Sequence, residues 1–345
     1  MRFIGCKKLL LENIHDVVLE NVPNCKVFCD IFSGTGTVGR YFKQWYKVYS
    51  NDLLYFSYIL QKATIENDEI PSFNGLKKIN ILDPIDFFNN LTAEELEILP
   101  KEKRFFQNNY SPLGGRMYIN DENALRIDYV RNAIEKWYKQ KLLTSSEYFY
   151  LIACLVEGIP FISNISGTYG AFNKEWDRRA FKKFELYKLP IFHNGKNNQS
   201  FNEDGIELLS KIKGDVLYVD PPYNERQYLP NYHVLETAAK YDNPILKGKT
   251  GSRNYENQRS DFCSKKTALL AFEKLMKNAK FEHIILSYST DGIMSVNDIE
   301  NIMKKYGSPS SFRIYEIPYR RFKSRTQQRK EDLKELLFYV RKTCI

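Results

Sequence analysis

Helix-like segments alternate with short apolar runs over the first ninety residues of the chain. The helix candidates are LLLENIHDVVLENV (9–22) and LLYFSYILQKATIEN (53–67). Between and after them lie three runs with the length and apolar character of short strands, KVFCDIF, KVYSND and KKINILD, at residues 26–32, 47–52 and 77–83. Strands that alternate with helices in this way predict a parallel sheet covered by helices on both faces.

The pattern changes over residues 101–200, which are broken up by Gly114-Gly115 and the polar run HNGKNNQS (193–200) and contain two long helix candidates, 121–140 and 145–158. Strand patterns resume in the last third of the chain, at 215–220, 283–289, 313–319 and 335–342, and we expect the last two to be antiparallel. We therefore predict an α/β fold with a mostly helical insertion between its third and fourth strands. The predicted domains are a sheet domain at 1–100 and 205–345 and an inserted region at 101–204.

Composition narrows the classes of protein and of partner. The 345 residues carry a net charge of +9 and 14% are aromatic, which favours a polyanionic partner and supplies rings that can stack on bases. No run of about 18 apolar residues indicates a membrane span, and the first residues lack the apolar core of a signal peptide. The six cysteines are scattered without metal-ligand spacing, so we expect a cytoplasmic protein with reduced thiols and no metal site.

The run DIFSGTGTVG (30–39) follows the first predicted strand and predicts a ligand-binding loop. Its glycines, Gly34, Gly36 and Gly39, have the spacing of a dinucleotide-binding fingerprint, and Asp52 ends the next strand 18 residues after Gly34. An acid at that position can hydrogen-bond a ribose hydroxyl. These features suit NAD and S-adenosylmethionine equally, and a glycine-rich turn without any ligand is the third interpretation.

Two details of the loop favour S-adenosylmethionine over a dinucleotide. Four residues, Asp30 to Ser33, separate the apolar run VFC (27–29) from the first glycine, whereas in dinucleotide folds the glycine follows the strand directly. Asp30 would also lie unfavourably beside a pyrophosphate, whereas its carboxylate suits the ammonium group of a methionyl chain.

A second motif, Asp220-Pro221-Pro222-Tyr223, directly follows the predicted strand DVLYVD. Two prolines cannot continue a strand ladder, so they hold the chain rigidly beyond the carboxyl end of the sheet, where ligands bind in open α/β folds. An acid, a free carbonyl and an aromatic ring together suit methyl transfer to the exocyclic amine of a base. The Asp220 carboxylate and the Pro221 carbonyl would accept the N–H groups of the amine, and Tyr223 would stack on the base.

FSGTG followed by DPPY resembles the DNA N6-adenine methyltransferases of the Dam-like group. RFIGCKKLLLENI looks like the motif that opens those enzymes, and GRMYINDENALRIDYVRNAIEKW and NISGTYGAFNKEW are similar to further recurring segments. The order of opening motif, glycine loop, long insertion and DPPY is the alpha arrangement of that family. The resemblance covers nearly the whole chain.

The resemblance implies a Rossmann-like S-adenosylmethionine-dependent methyltransferase sheet, with 101–204 as the target-recognition region. It implies N6 methylation of a flipped-out adenine in double-stranded DNA by a cytoplasmic enzyme, as part of a restriction–modification system with its endonuclease or as a solitary relative. Catalytic roles fall on Asp220, Pro221, Pro222 and Tyr223. Cofactor contacts fall on Phe3, Lys7, Asp30, Phe32, Gly34, Gly36, Asp52 and Asp83, although Asp86 competes with Asp83 for contact with the cofactor's adenine.

Basic segments with polar and aromatic residues are candidates for contact with DNA phosphates. Arg226 and Tyr228 leave the DPPY motif directly, Lys265 lies in the basic loop 248–266, and Arg320 and Arg321 lie in the basic segment 319–330. We expect the loop 248–266 to act as a flexible lid that contacts phosphate.

Other functions remain open from the residues alone. Methylation of cytosine N4 uses the same fold but more often carries Ser before Pro-Pro, and methylation of RNA adenine or of a protein glutamine usually carries Asn there. A dinucleotide-dependent oxidoreductase rests only on the spacing of the glycines. A DNA-binding module without activity would require a vestigial DPPY motif.

Overall fold

The computed structural model describes residues 3–318 and 334–343. Its strands are β1 (Val27–Asp30), β2 (Lys47–Asn51), β3 (Gln199–Phe201), β4 (Gly214–Val219), β5 (Phe281–Ser289), β6 (Arg313–Pro318) and β7 (Lys334–Arg341). Its helices are α1 (Leu11–Asn21), α2 (Thr37–Phe42), α3 (Tyr55–Gln61), α4 (Asn74–Lys77), α5 (Pro84–Asn89), α6 (Ala93–Glu97), α7 (Phe105–Tyr110), α8 (Asp121–Lys139), α9 (Ser145–Ile162), α10 (Gly205–Leu208), α11 (Leu229–Lys240), α12 (Ala268–Asn278) and α13 (Val296–Tyr306).

One mixed sheet contains all seven strands, in the order β3-β2-β1-β4-β5-β7-β6. The first five of these are parallel, whereas β7 runs antiparallel to both β5 and β6. The amino end of β7 therefore lies at the same edge as the carboxyl ends of the parallel strands, with Glu335 paired to Ser289 at the end of β5. This sheet confirms the predicted Rossmann-like methyltransferase fold.

The central strand β4 shows why these residues form a sheet covered on both faces. Val216, Leu217, Tyr218 and Val219 are all fully buried, as expected of a parallel strand with layers above and below it. Its odd-numbered residues belong to the core formed with α12 and α13, where Phe272, Leu275 and other apolar side chains pack. The strand thus ends in a rigid apolar setting, and that setting fixes the position of the residue that follows, Asp220.

The chain divides into two compact units. The sheet unit contains residues 6–53 and 194–227 and the described residues from 259 onward, whereas the helical unit contains 54–193, 228–258 and the short segment that ends at Gly5. These bounds differ from those of the predicted domains, and the target-recognition role of residues 101–204 stays a prediction.

Two long helices, α8 and α9, form the centre of the helical unit. Asn120 caps α8, and Thr144 and Glu147 form a capping box at the start of α9, so local sequence defines both beginnings. Within the described residues, α9 is the one helix long and apolar enough to cross a membrane, and 61% of it is buried inside the protein. That burial is also what a core helix requires.

The prediction of a strand at residues 77–83 is wrong. This segment forms turns in the helical unit, Asn80 has a left-handed φ of 61°, and Ile79 and Leu82 are 44% and 76% exposed. Its apolar residues therefore do not enter a sheet core, which a central strand would require. The third strand of the sheet is β3 at 199–201, so the helical insertion lies between the second and third strands rather than the third and fourth.

Candidate active site

The glycine loop connects β1 to α2 at the carboxyl edge of the sheet. Gly34 and Gly36 have left-handed φ values of 52° and 75°, which any residue with a Cβ adopts only at a cost. Gly36 donates its N–H to the Ser33 carbonyl at 2.8 Å, and Ser33 donates its own to the Asn51 carbonyl at 2.9 Å. The two glycines therefore permit a tight turn that is tied to the end of the neighbouring strand.

Asp52 follows β2 and supports the same loop. Its Oδ2 accepts the Gly34 N–H at 2.8 Å, and its backbone carbonyl accepts the side-chain amide of Asn202 at 2.7 Å. The carboxylate is thus held against the glycine turn. A ligand bound in that turn would lie within reach of it. Its predicted contact with a ribose hydroxyl stays a prediction.

Asp30, the last residue of β1, is a buried carboxylate without a matching donor. It is 1% exposed, and neither of its carboxylate oxygens has a hydrogen-bond partner among the described residues. The Ser33 hydroxyl donates to the backbone carbonyl of Asp30 at 2.8 Å. Burial, together with repulsion from Asp220 and Asp52, raises the pKa of Asp30 to about 8, although the nearby donors of Ser33 and Gly39 oppose the shift. A cationic ligand at this point would supply the missing partner.

The DPPY motif emerges from β4 and is held by contacts within the sheet unit. The Tyr223 carbonyl accepts the Ile293 N–H at 3.0 Å. The side-chain amide of Gln227 bonds the backbone of Ser260 twice, donating to its carbonyl at 3.0 Å and accepting its N–H at 2.8 Å. These bonds hold the loop that follows β4 at Tyr223 and at Gln227, so its side chains start from a fixed backbone.

Asp220 lies in a buried ion cluster that the sequence did not predict. The Lys7 ammonium is 2.8 Å from Oδ1 of Asp220 and 3.2 Å from Oε1 of Glu335, which also accepts the Ser287 hydroxyl at 2.8 Å. The side chains of Lys7, Glu335 and Asp220 are 5%, 6% and 16% exposed. The Lys7 ammonium also lies 5.8 Å from the centre of the Tyr223 ring.

The charges of this cluster follow from burial and from its ion pairs. Burial alone would lower the pKa of Lys7, but Asp220 and Glu335 raise it above its usual value, so Lys7 stays protonated. Burial raises the pKa of Asp220 to about 6 although Lys7 opposes the shift, and Glu335 adds to it. Asp220 is therefore largely ionised at neutral pH and becomes protonated in mild acid.

The sheet unit brings together most of the predicted cofactor and catalytic residues: Lys7, Asp30, Phe32, Gly34, Gly36, Asp52, Asp220, Pro221, Pro222 and Tyr223. Phe32 is half-buried and packs edge-on against Phe262, with ring centres 5.3 Å apart. Lys7 holds the predicted catalytic carboxylate directly. Its predicted contact with the cofactor stays a prediction.

The two other predicted cofactor residues belong to the helical unit. Phe3 stacks on Tyr232 at 4.7 Å between ring centres. Asp83 caps α5 by accepting the N–H groups of Ile85 and Asp86, and it forms an ion pair with Lys188 at 2.6 Å. Burial would raise the pKa of Asp83, but these partners hold it below its usual value. The predicted contact of Asp83 with the cofactor's adenine stays a prediction.

The predicted DNA-contacting residues are divided between the units. In the sheet unit, Arg226 and Lys265 are exposed, and Lys265 lies 3.9 Å from Glu225. Tyr228 begins the second part of the helical unit, where its ring lies 5.7 Å from that of Phe3. Arg320, Arg321 and the rest of the basic segment 319–330 lie outside the described residues.

The predicted lid at 248–266 contains a basic residue that is not on the surface. Arg253 is 7% exposed and forms a bidentate ion pair with Asp242, with N–O distances of 2.9 and 2.6 Å. Such a pair fixes the backbone on either side of it. Arg253 is therefore a structural residue of the helical unit, whereas the exposed Lys249 and Arg259 keep the solvent access that phosphate contact requires.

Glu335 is a member of the buried ion cluster that no sequence motif indicates. The run KELLFYVR has the apolar character of a buried strand, and Glu335 is the one acid within it. A carboxylate inside a buried strand needs a partner, and that need was a signal in the sequence. The partner, Lys7, could not be identified because the two residues are more than three hundred positions apart.

The proteins and the family model that this chain resembles are all methyltransferases or modification methylases. A model of the D12 class N6 adenine-specific DNA methyltransferases matches residues 3–302. The chain is 50% identical to the Type II methyltransferase M.FokI of Planomicrobium okeanokoites and 45% identical to the modification methylase StsI of Streptococcus sanguinis. Both alignments cover 99% of this chain, but only 53% and 52% of those relatives.

The chain thus spans about half the length of these two relatives, whereas it matches a third over nearly its full length. That relative is the Type II methyltransferase M.NlaIII of Neisseria lactamica, which is 36% identical over 99% of this chain and 98% of its own length. The matches extend across both units and include the glycine loop and the DPPY motif. The chain belongs to the D12 class N6 adenine-specific DNA methyltransferase family.

Proposed function

We propose that this protein transfers a methyl group from S-adenosylmethionine to the exocyclic N6 of a flipped-out adenine in double-stranded DNA. The observation that carries the proposal is the position of Asp220 at the end of β4. There its carboxylate is largely buried, paired with Lys7 and followed by Pro-Pro-Tyr on a backbone held at Tyr223 and Gln227. The family of the chain and the glycine loop support the same reaction.

The charges and shapes of the residues in the sheet unit suit S-adenosylmethionine, independently of any sequence similarity. This cofactor carries two positive charges, an ammonium and a sulfonium, and one carboxylate. The Asp30 carboxylate is buried and lacks a partner, which suits the ammonium, and the turn at Gly34 and Gly36 lets a ligand approach the backbone closely. Asp52 would hold the ribose, and Phe32 offers an apolar face.

The donor set fits NAD less well. A pyrophosphate is anionic, and Asp30 and Asp52 would both repel it at the loop where a dinucleotide fold places its phosphates. The sheet unit also offers Asp220 within the same acidic cluster. An oxidoreductase is therefore the weaker proposal, since only the spacing of the glycines favours it.

S-adenosylmethionine supplies an electrophilic methyl group whose leaving group is a neutral thioether. The residues must then make a poor nucleophile competent, because the N6 lone pair is delocalised into the adenine ring. Asp220 and the Pro221 carbonyl accept the two N6–H groups and so favour the geometry in which the lone pair projects from the ring. Tyr223 stacks on the base, which by the usual scale for base stacking contributes about 1–3 kcal/mol. Asp220 can also take the proton that N6 loses.

Several finer assignments belong to the same proposal. We place the protein in the Dam-like alpha arrangement, because the opening motif, glycine loop, insertion and DPPY follow in that order. Its relatives are named as Type II methyltransferases and modification methylases, which supports a restriction–modification role beside a cognate endonuclease. We place it in the cytoplasm, where DNA and S-adenosylmethionine are both present. Arg226, Tyr228, Lys265, Arg320 and Arg321 stay candidates for contact with DNA.

Transfer of a labelled methyl group from S-adenosylmethionine to duplex DNA tests the proposal. The wild-type protein should label DNA, and Asp220→Ala should lose the transfer while it keeps most of its affinity for the cofactor. Asp215→Ala is not a suitable control, because Asp215 binds the backbone of Lys26 and Val27. Asp16→Ala on the exposed side of α1 is the matched control. Persistent transfer by Asp220→Ala would refute the role given to this carboxylate.

Long-read mapping of modified bases in DNA from cells that express the protein distinguishes the candidate reactions. N6-methyladenine at one sequence is the expected result, and the map also yields the recognition sequence. N4-methylcytosine would instead assign the fold to the cytosine reaction. Tight binding of NAD without methyl transfer would support the oxidoreductase.

A further inference from the structure

Three segments that are distant in the sequence meet in the Lys7–Asp220–Glu335 cluster. Lys7 precedes α1, Asp220 follows β4, and Glu335 lies at the beginning of β7, the strand that runs antiparallel to its neighbours. One cation therefore lies between two carboxylates, and all three side chains are largely removed from water. Breaking a buried ion pair on one side leaves an uncompensated charge, so each member depends on the other two.

Glu335 is held by a hydrogen bond in addition to its ion pair with Lys7. The Ser287 hydroxyl on β5 donates to the same oxygen, Oε1, that faces Lys7, and Ser287 is fully buried. Glu335 and Ser287 lie on paired strands, so their backbones are fixed by the sheet. The long, flexible side chain of Lys7 is thus anchored by an acid whose own position is defined.

The ion pair between the anchored ammonium and the Asp220 carboxylate is formed at Oδ1, at 2.8 Å. The proposed function assigns the other oxygen, Oδ2, to the N–H of the amine. If Lys7 were not held by Glu335, its ammonium could move across the carboxylate and occupy both oxygens. The position of Lys7 therefore decides how much of Asp220 is available for the base.

We propose that Glu335 is a positioning residue for methyl transfer, acting through Lys7 to hold the Asp220 carboxylate in place and to set its charge. The inference rests on the proposed function, because it assigns Asp220 to the amine of the base. Glu335 itself need not touch substrate or cofactor. A merely structural role would require only that the cluster stabilise the sheet.

The two partners of Asp220 act on its pKa in opposite directions. Lys7 lowers the pKa of Asp220 and Glu335 raises it, beyond the larger effect of burial. The other titratable groups that face this cluster are Asp30 on β1, Tyr218 on β4 and Tyr223 in the DPPY motif itself. Asp30 adds negative charge, and burial, Asp220, Asp30 and Glu335 all raise the pKa of Tyr218, which keeps this phenol neutral.

The test is the pH dependence of kcat for methyl transfer to duplex DNA, measured for wild type, Glu335→Gln and Lys7→Met. Removing the negative charge of Glu335 should lower the pKa of Asp220 and move the acid limb of the profile to lower pH, by roughly half a unit or more. Lys7→Met should move the acid limb in the opposite direction. We also expect Glu335→Gln to lose about tenfold in kcat at pH 8 with a smaller change in KM, since an alignment is lost rather than a binding contact.

Glu316→Gln is the matched control. Glu316 lies on β6 beside β7, but its side chain is 59% exposed and pairs with Lys334. This variant should keep the wild-type kcat and the wild-type acid limb. Glu335→Asp keeps the charge but shortens the side chain, so it should recover the wild-type acid limb but only part of kcat.

Ser287→Ala keeps the proposal testable if Glu335→Gln does not fold. It removes the hydroxyl that holds Glu335, at little change in volume, and should shift the acid limb in the same direction as Glu335→Gln but by less. If Glu335→Gln and Ser287→Ala lower thermal stability while kcat and the acid limb match those of Glu316→Gln, the role of Glu335 is only structural and the proposal is overturned. Absence of methyl transfer by the wild type would overturn the proposed function instead.

Discussion

Replacing Asp30 by Asn should stabilise the protein without its cofactor and weaken the binding of S-adenosylmethionine. Asp30 is fully buried at the end of β1, and its carboxylate oxygens have no hydrogen-bond partner among the described residues. A buried charge without a partner destabilises the fold unless it takes up a proton. The Asn side chain has nearly the same shape but carries no charge, so the substitution removes this cost and also removes the partner proposed for the ammonium of the cofactor.

The size of the effect follows from the pKa of Asp30, which rises from 3.8 in the unfolded chain to about 8 in the fold. The folded protein binds the Asp30 proton more tightly than the unfolded chain does. The contribution of this proton to the free energy of unfolding is therefore fully present below pH 3.8 and is lost as the pH rises through 8. Linkage gives a cost of ionisation of about 1.7 kcal/mol at pH 5 and about 4 kcal/mol at pH 7. These values are upper limits for the gain on substitution, because the buried Asn amide also lacks partners.

Denaturant unfolding of the cofactor-free protein at pH 5, 6, 7 and 8 measures this difference. The gain in the free energy of unfolding of Asp30→Asn over wild type should grow with pH, reaching about 1–4 kcal/mol at pH 7. Calorimetric titration with S-adenosylmethionine should show affinity reduced by about tenfold to a hundredfold, since a charge-assisted contact is lost. Asp16→Asn, at an exposed position on α1, is the control and should change neither quantity.

One result would refute the reasoning. If Asp30→Asn were less stable than wild type by the same amount at every pH, the Asp30 carboxylate would be a satisfied structural group. Unchanged affinity for S-adenosylmethionine, together with the expected gain in stability, would show instead that Asp30 is buried and unpartnered but does not receive the ammonium.

Three further substitutions test other parts of the structure. Gly36→Ala should lower the free energy of unfolding by about 1–2 kcal/mol, because φ at this position is 75°; Gly170→Ala, whose methyl would meet ordinary contacts at 3.7 Å, should change it little. Gln227→Ala removes the double hydrogen bond to Ser260 and should lower kcat about tenfold with cofactor affinity unchanged, as measured by labelled methyl transfer and calorimetry. Burial lowers the pKa of His233 to about 4, so the wild type should lose up to about 3 kcal/mol relative to His233→Gln as the pH falls from 6.5 to 4, as followed by acid unfolding.

Much of the fold could be predicted because local patterns and burial agree. The long helices α8 and α9 begin at strong capping residues, and β4 and β5 are continuous apolar runs, as central strands of a parallel sheet are. The strand prediction for 77–83 is wrong because Ile79, Ile81 and Leu82 are apolar residues typical of strands, and the sequence does not show that this segment forms turns. The true third strand, β3, has only three residues and mixed polarity, so its register depends on pairing with β2 rather than on its own sequence.

The site was predictable where chemistry is local in sequence. Asp30, Gly34 and Gly36 lie within one loop, and Asp220 to Tyr223 are consecutive, so their residue types indicated a ligand loop and an amine site. Glu335 could not be assigned, because its meaning depends on a strand that enters the sheet between β5 and β6. The contact of Lys7 with Asp220 likewise depends on the tertiary fold.

The position of β7 has a consequence for the order in which the protein is made. Lys7 leaves the ribosome roughly 330 residues before Glu335, which at typical rates of synthesis is an interval of about 15 to 65 s. During that interval β7 is not yet present between β5 and β6, so the sheet is incomplete. The ammonium of Lys7 also lacks its second carboxylate. The nascent chain can fold its glycine loop early, but the charge of Asp220 is set only when β7 docks. Completion of the sheet and completion of the ion cluster are therefore a single event.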